Sequence, residues 1–317
     1  MKVILIMVKV SEFLCLTSPL NALTAVAGRS QARAAYGSVR THTNPIYRKS
    51  VLKKFTYILL LCIFPSGYVI ADKSCEFQRW GSYKGTSLYR SADKTAYAFK
   101  SAHVRVDADG APNAYHPDDV GLHCTRGEGF KGLDCPANAG YPDKDWWSSV
   151  LVPNPLAPES AFIQPTGTYK GYFVSQTSLR DPNISDSKNP KHYVDATSIP
   201  YIVFPGKFYK RSGTGLMGDL GYAINLRTGE KSAFVAADVG PPNAELGEMS
   251  IYLGEKLGGT SPNPRTGTGS PEGEILYMVF PYSSRQHKWP LNESEIVQLA
   301  ESLLADAGGF DAVSGCE

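Results

Sequence analysis

Histidine, methionine and cysteine are scarce in this chain of 317 residues, at 6, 5 and 6 copies. The histidines, His116, His192 and His287 among them, show neither a Ser-His-Asp order nor a metal-ligand spacing. The cysteines fit no zinc signature. There is no P-loop, so that nucleotide-phosphate cradle is excluded. Ser178 and Ser250 lack the surroundings of a nucleophile elbow. Internal repeats and low-complexity tracts are absent from 72–317. The expectation is therefore an activity that needs neither a metal nor a cofactor.

Residues 1–71 differ from the rest. After an early apolar run and a Ser/Ala/Arg-rich stretch come Lys53-Lys54, the apolar run 55–64, and Val69-Ile70-Ala71. A positive region, a short apolar region and a small-residue cleavage site make up a secretory signal. The apolar run is too short to span a bilayer comfortably. We expect cleavage after Ala71, a secreted or periplasmic product, and no stable membrane insertion afterwards. Val51 stands where a start codon read as valine would fall, so 1–50 reads as a mis-called upstream extension or a disordered tail. The expected division is 1–50 extension, 51–71 signal peptide and 72–317 a single domain.

Of the 32 basic and 30 acidic residues, nine and one lie in 1–71. That leaves 23 bases against 29 acids, an excess of six negative charges in 72–317. A mildly acidic product does not advertise nucleic-acid binding and is compatible with a cationic partner. Four cysteines remain, an even number that implies two disulfides in an exported protein. Of three connectivities we favour Cys124–Cys135, closing a Gly-rich loop, and Cys75–Cys316, tying the domain ends.

With 30 Gly, 22 Pro and 18 Tyr, the chain reads as short strands broken by turns. Strands are expected at 87–90, 97–99, 172–175, 201–204, 222–226, 233–236 and 275–280. Only two helices are expected. One covers 250–257, capped by Ser250; the other covers 292–307, capped by Ser294, with Ile296, Leu299, Leu303 and Leu304 on one face. Long loops fall at 108–168 and 259–272.

The acids must then be ranked. The apolar run 233–237 leads straight into Asp238-Val239-Gly240-Pro241, and a carboxylate at a buried strand end is costly unless solvated, paired or used. Its plain structural alternative is a turn cap. Glu248 stands just ahead of the short helix, whose positive end favours an ionised carboxylate. Asp107-Ala108-Asp109-Gly110 has no glutamate at the twelfth position, so it is a poor calcium loop and a better substrate loop or solvated turn. Trp146-Trp147 reads as a sugar-stacking platform or a core anchor.

These residues carry a resemblance. Asp107-Ala108-Asp109-Gly110, then Ile199-Pro200-Tyr201-Ile202-Val203-Phe204-Pro205-Gly206, Gly218-Asp219, Asp238, Gly247-Glu248-x-Ser250 and Ile275-Leu276-Tyr277-x-Val279-Phe280 together resemble the glycoside hydrolase family 75 chitosanases. The resemblance spans most of 95–290. It implies Asp238 and Glu248 as the essential pair, acting with inversion. Their spacing is somewhat shorter than in fungal members, and Met249 replaces a more usual small residue. Asp238-x-Gly240-Pro241 with Ser250 and the short helix is also similar to double-psi β-barrels, which implies a mainly β fold closed into a six-stranded barrel with a surface groove.

The expectation is thus an endo-acting, monomeric hydrolase of β-1,4-linked glucosamine polymer. Asp107, Asp109, Tyr115, His116, Tyr201 and Glu245 are the expected substrate-binding residues. Asp238 is assigned as general acid and Glu248 as base. The alternatives are a peptidoglycan-lytic enzyme and a non-catalytic glycan-binding protein.

Overall fold

The computed structural model describes residues 75–126 and 129–317. The extension and signal peptide expected in 1–71 lie outside the described residues. Eleven strands and three α-helices follow in chain order. The strands are β1 (Gln78–Tyr83), β2 (Thr86–Arg90), β3 (Tyr97–Ser101), β4 (Arg105–Asp107), β5 (Pro153–Asn154), β6 (Ala157–Ala161), β7 (Tyr201–Pro205), β8 (Leu220–Asn225), β9 (Lys231–Gly240), β10 (Glu248–Ser250) and β11 (Ile275–Val279). The helices are α1 (Gly206–Tyr209), α2 (Ile251–Lys256) and α3 (Glu293–Asp306).

Nine strands form one mixed sheet in the order β1-β2-β3-β11-β8-β9-β7-β10-β4, and β5 and β6 make a separate hairpin. Every residue of β11 and β7 is buried. Such unbroken apolar runs belong to central strands covered on both faces. β7 pairs parallel to β9, and β10 pairs parallel to β4, while the remaining ladders are antiparallel. The chain is mainly β, as expected, but the closed six-stranded barrel is not what forms. β1 pairs only with β2 and β4 only with β10, so the sheet is open with two edges. β4 and β10 are three residues each, too short to carry the sheet round onto itself.

Other expectations shift by a few residues, for physical reasons. The segment 172–175 makes only isolated bridges, Leu151↔Ser175 and Ile163↔Phe173, because its neighbours are loops rather than a ladder. Asn292, not Ser294, caps α3: its Oδ1 accepts from the Glu295 N–H while Glu295 reaches back to the Asn292 N–H. Ser250 caps α2 as expected, accepting from the Leu253 N–H at 3.1 Å. α3 packs against β8 and β9, where the Tyr222 hydroxyl meets Glu301 at 3.3 Å.

Both favoured disulfides are present, Cys75–Cys316 and Cys124–Cys135. They point to an oxidising, extracytoplasmic compartment. Among the described residues, no helix is long and apolar enough to cross a membrane.

Candidate active site

Strand register places the two leading carboxylates. Glu248, first residue of β10, pairs with Val203 of β7 on one side and Arg105 of β4 on the other. Val203 pairs in turn with Asp238 of β9. Asp238, Val203 and Glu248 thus occupy one row across three strands. Two strand spacings put the Cα atoms of Asp238 and Glu248 about 9–10 Å apart. Glu248 leans over this row: a Cβ on Gly240 would lie 3.1 Å from Glu248 Oε2 and 3.1 Å from a Val203 methyl. Gly240 is two residues from Asp238, so the absence of a side chain there leaves room for the Glu248 carboxyl beside its partner.

A bulge sets this arrangement. Ile202 pairs with Ala236 and Val203 with Asp238, which leaves Ala237 as the extra residue. A bulge re-aims the side chain that follows it. The Ala237 carbonyl accepts from the Leu179 N–H at 2.8 Å, and the same segment presents Ser178 to Asp238. Asp238 therefore lies inside a strand that runs on to Gly240, not at a strand end. Glu248 likewise belongs to a strand and not to the start of α2.

A second row carries the aspartates of the 107–110 turn. Asp107 pairs with Ser250, and Ser250 Oγ accepts from the Tyr201 N–H at 3.0 Å. The buried Tyr201 hydroxyl lies 3.0 Å from Asp107 Oδ2 and 2.9 Å from the Asp109 carbonyl. Asp107 Oδ1 accepts from the Asp109 N–H at 2.9 Å. Asp109 Oδ1 accepts from the Tyr115 hydroxyl at 2.8 Å and from Ser175 Oγ at 3.1 Å.

Burial raises the proton affinity of all four acids, and repulsion from neighbouring carboxylates adds to it at Asp107, Asp109 and Glu248. Burial is the leading cause at each. Asp107 is held well above the usual carboxylate range, with Glu248 and Asp238 adding to the effect, and Asp109 likewise, with Asp107 and Asp238 adding. Glu248 is pushed up from 4.5 to about 7, with Asp238 and Asp134 raising it and Arg105 opposing. Asp238 is raised by burial against strong opposition. Its Oδ1 accepts from the Ser178 N–H at 2.8 Å, Ser178 Oγ at 2.6 Å and the Val239 N–H at 2.8 Å, with Arg180 adding a favourable charge. Three donors on one oxygen favour the ionised form. Glu248 has no such set.

One oxygen from each of Asp107, Asp109 and Asp238 falls within 4.8 Å of the others. Oxygen donors at that spacing suit a hard cation in type, but such an ion takes six to eight ligands. Here tyrosine and serine hydroxyls and backbone N–H groups already donate into the cluster.

Glu248 opens into a pocket of about 550 Å³ that Lys84, His103, Arg105, Asn243 and Glu245 also line. Of the residues expected from sequence, Asp107, Asp109, Tyr115, Tyr201, Asp238 and Glu248 come together, and Glu245 shares the pocket with Glu248. Tyr115 and Tyr201 are buried behind the aspartates and orient them. His116 stands apart: its Nδ1 accepts from the Asp118 N–H at 3.1 Å and its ring meets Tyr172 edge-on. The adjacent tryptophans part company, Trp147 buried against Tyr141 and Trp146 exposed.

Sequence reading passed over Arg105, Asp134, Ser175 and Arg180, and considered Ser178 only as a nucleophile. Nothing local marks them, because each acts through a partner at least 58 positions away along the chain.

No protein-family model matches the chain, and no curated protein matches its sequence.

Proposed function

We propose that this protein is an endo-acting glycoside hydrolase that cleaves β-1,4-linked glucosamine polymer with inversion. One observation carries the reading: two carboxylates flank Val203, burial raises the proton affinity of both, and only Asp238 has a set of hydrogen-bond donors that opposes it. Glu248, with its affinity raised to about 7, is the general acid. Asp238, with three donors on Oδ1, is the general base. This exchanges the roles expected from sequence, because the feature that governs Glu248 is burial among other acids and not the nearby helix end.

In the reaction, the Glu248 carboxyl proton passes to the glycosidic oxygen as its bond to the anomeric carbon breaks. A water attacks that carbon from the opposite face and gives its proton to the free oxygen of Asp238. Solvent exchange then returns a proton to Glu248 and removes one from Asp238. Inverting enzymes hold the two carboxyls roughly 6.5–9.5 Å apart to admit the water. A Cα separation of about 9–10 Å, with Glu248 leaning toward Asp238, is compatible with that range.

Asp107 and Asp109 supply an acidic wall suited to glucosamine ammonium groups, and Glu245 a further carboxylate on the pocket side. A charged substrate group can stabilise ionised forms that are costly in the free protein. We further propose that the protein acts outside the cytoplasm as a monomer, with a polysaccharide as its partner and without a cofactor.

Release of reducing ends from chitosan, and separately from purified peptidoglycan, tests the reading. Chitosan activity lost in both Asp238→Asn and Glu248→Gln supports it. Activity on peptidoglycan alone keeps the site and changes the polymer. Silence on both polymers, with binding retained, would leave a glycan-binding protein.

A further inference from the structure

The segment 241–247 joins β9, which carries Asp238, to β10, which carries Glu248, and it has no regular structure of its own. It is held from both ends. At the far end, Ser101 Oγ donates to the Leu246 carbonyl at 2.6 Å, and His103 pairs with Glu245 at 3.0 Å. Gly247 has φ +124°, and a Cβ there would lie 1.8 Å from the His103 carbonyl, so the chain passes where only glycine fits.

The near end is held by residues more than 150 positions earlier. The Tyr83 hydroxyl lies 3.1 Å from the Ala244 carbonyl and 3.3 Å from that of Pro242. Lys84 Nζ donates to the Asn243 carbonyl at 2.8 Å. Three successive carbonyls thus face the tip of the β1–β2 hairpin. The Tyr83 ring itself packs edge-on against the buried Phe208, centroids 5.3 Å apart.

The hairpin tip carries a second sign of purpose. Lys84 and Gly85 form its two-residue turn, with φ of +48° and +88°. Such turns favour asparagine or glycine at the first position, and a lysine there is strained. Strain of this kind persists where surrounding contacts hold it, and it clusters at functional sites. Here the strained residue is the one that reaches Asn243.

We propose that the β1–β2 hairpin tip is a positioning clamp for the carboxylate pair, with Tyr83 and Lys84 as positioning residues. By tying down the segment that joins β9 to β10, it fixes where Glu248 stands relative to Asp238. The inference rests on the hydrolase reading for its kinetic consequence but not for its structural one. The groups that face Glu248 are Arg105 from β4, Asp238 from β9, Asp107 and Asp134, with Lys84, His103 and Glu245 on the pocket side.

The test uses the full chain carrying Tyr83→Phe and Lys84→Met, singly and together, with Lys84→Arg as the conservative variant. Phenylalanine keeps the packing on Phe208, and methionine keeps most of the lysine stem. In the double variant kcat on chitosan is expected to fall about tenfold with KM nearly unchanged, since small misplacements of reacting groups cost rate. Lys84→Arg should retain most of the activity. Carboxyl ¹³C NMR follows Glu248 without requiring turnover. Its midpoint should drop from about 7 as the loosened segment admits water. An unchanged midpoint overturns the clamp, as does a kcat loss that merely tracks a lower Tm. If the wild type cleaves no polymer but the midpoint still drops, the clamp stands and the hydrolase reading falls.

Discussion

Replacing Glu248 by glutamine separates the cost of the site from its use. In the folded protein Glu248 holds its proton up to about pH 7, against 4.5 when exposed. Its native form therefore contributes fully to stability below pH 4.5, and that contribution is lost as pH rises through 7. At about 1.4 kcal/mol per tenfold change in proton affinity, the whole displacement corresponds to about 3 kcal/mol. Glu248 is only half-buried and faces an open pocket, so solvent screening reduces the expected value to about 1–2 kcal/mol. Glutamine has the same shape and no charge to desolvate. Glu248→Gln should thus be more stable than wild type at pH 8–9, by about 2–8 °C in Tm for a domain of this size. At pH 4, where Glu248 is already neutral, the two proteins should melt together. Turnover should be lost at every pH. Thermal melts at pH 4, 6 and 9 decide the matter. A Tm difference independent of pH, or a variant less stable at pH 9, would refute the argument that burial among acids strains this carboxylate.

Other consequences can be checked separately. Ser178→Ala removes a 2.6 Å hydrogen bond to Asp238 and should raise its proton affinity further. The acid limb of the kcat profile should then move to higher pH, and an unmoved limb would argue against Asp238 as base. Gly240→Ala places a methyl 3.1 Å from Glu248 Oε2, so kcat should fall while circular dichroism stays unchanged; full activity would mean that Glu248 need not lean over Gly240. Removing Cys75–Cys316, which joins residues 241 positions apart, should cost up to about 5 kcal/mol, against about 3 for Cys124–Cys135 with its separation of 11. Denaturant midpoints of the two double-serine variants would contradict this if their order reversed.

Much of the site was legible because its acids stand out against apolar or glycine-rich surroundings. Asp238 after 233–237 is a costly placement, and Glu248 stands just before a Ser-capped helix whose positive end favours a carboxylate; both are features a sequence displays. The central strands β7, β9 and β11 were legible for the related reason that fully buried strands read as apolar runs. The short strands β4 and β10 were not. Three residues carry no periodicity, and both exist only because neighbouring strands supply hydrogen-bond partners.

By itself, then, the sequence determined the β-rich class, the helices α2 and α3 but not the single-turn α1, the disulfide cysteines and the small set of acids worth ranking. These are local properties of residue type, spacing and turn chemistry. Only the tertiary structure decided that the sheet stays open, that a bulge at Ala237 turns Asp238 toward Ser178, and that Val203 lies between the two carboxylates. It also decided how strongly burial is opposed at each of them. Proton affinity depends on burial and on charges brought in from β4, β9 and the 130–140 loop, and no spacing along the chain encodes those distances.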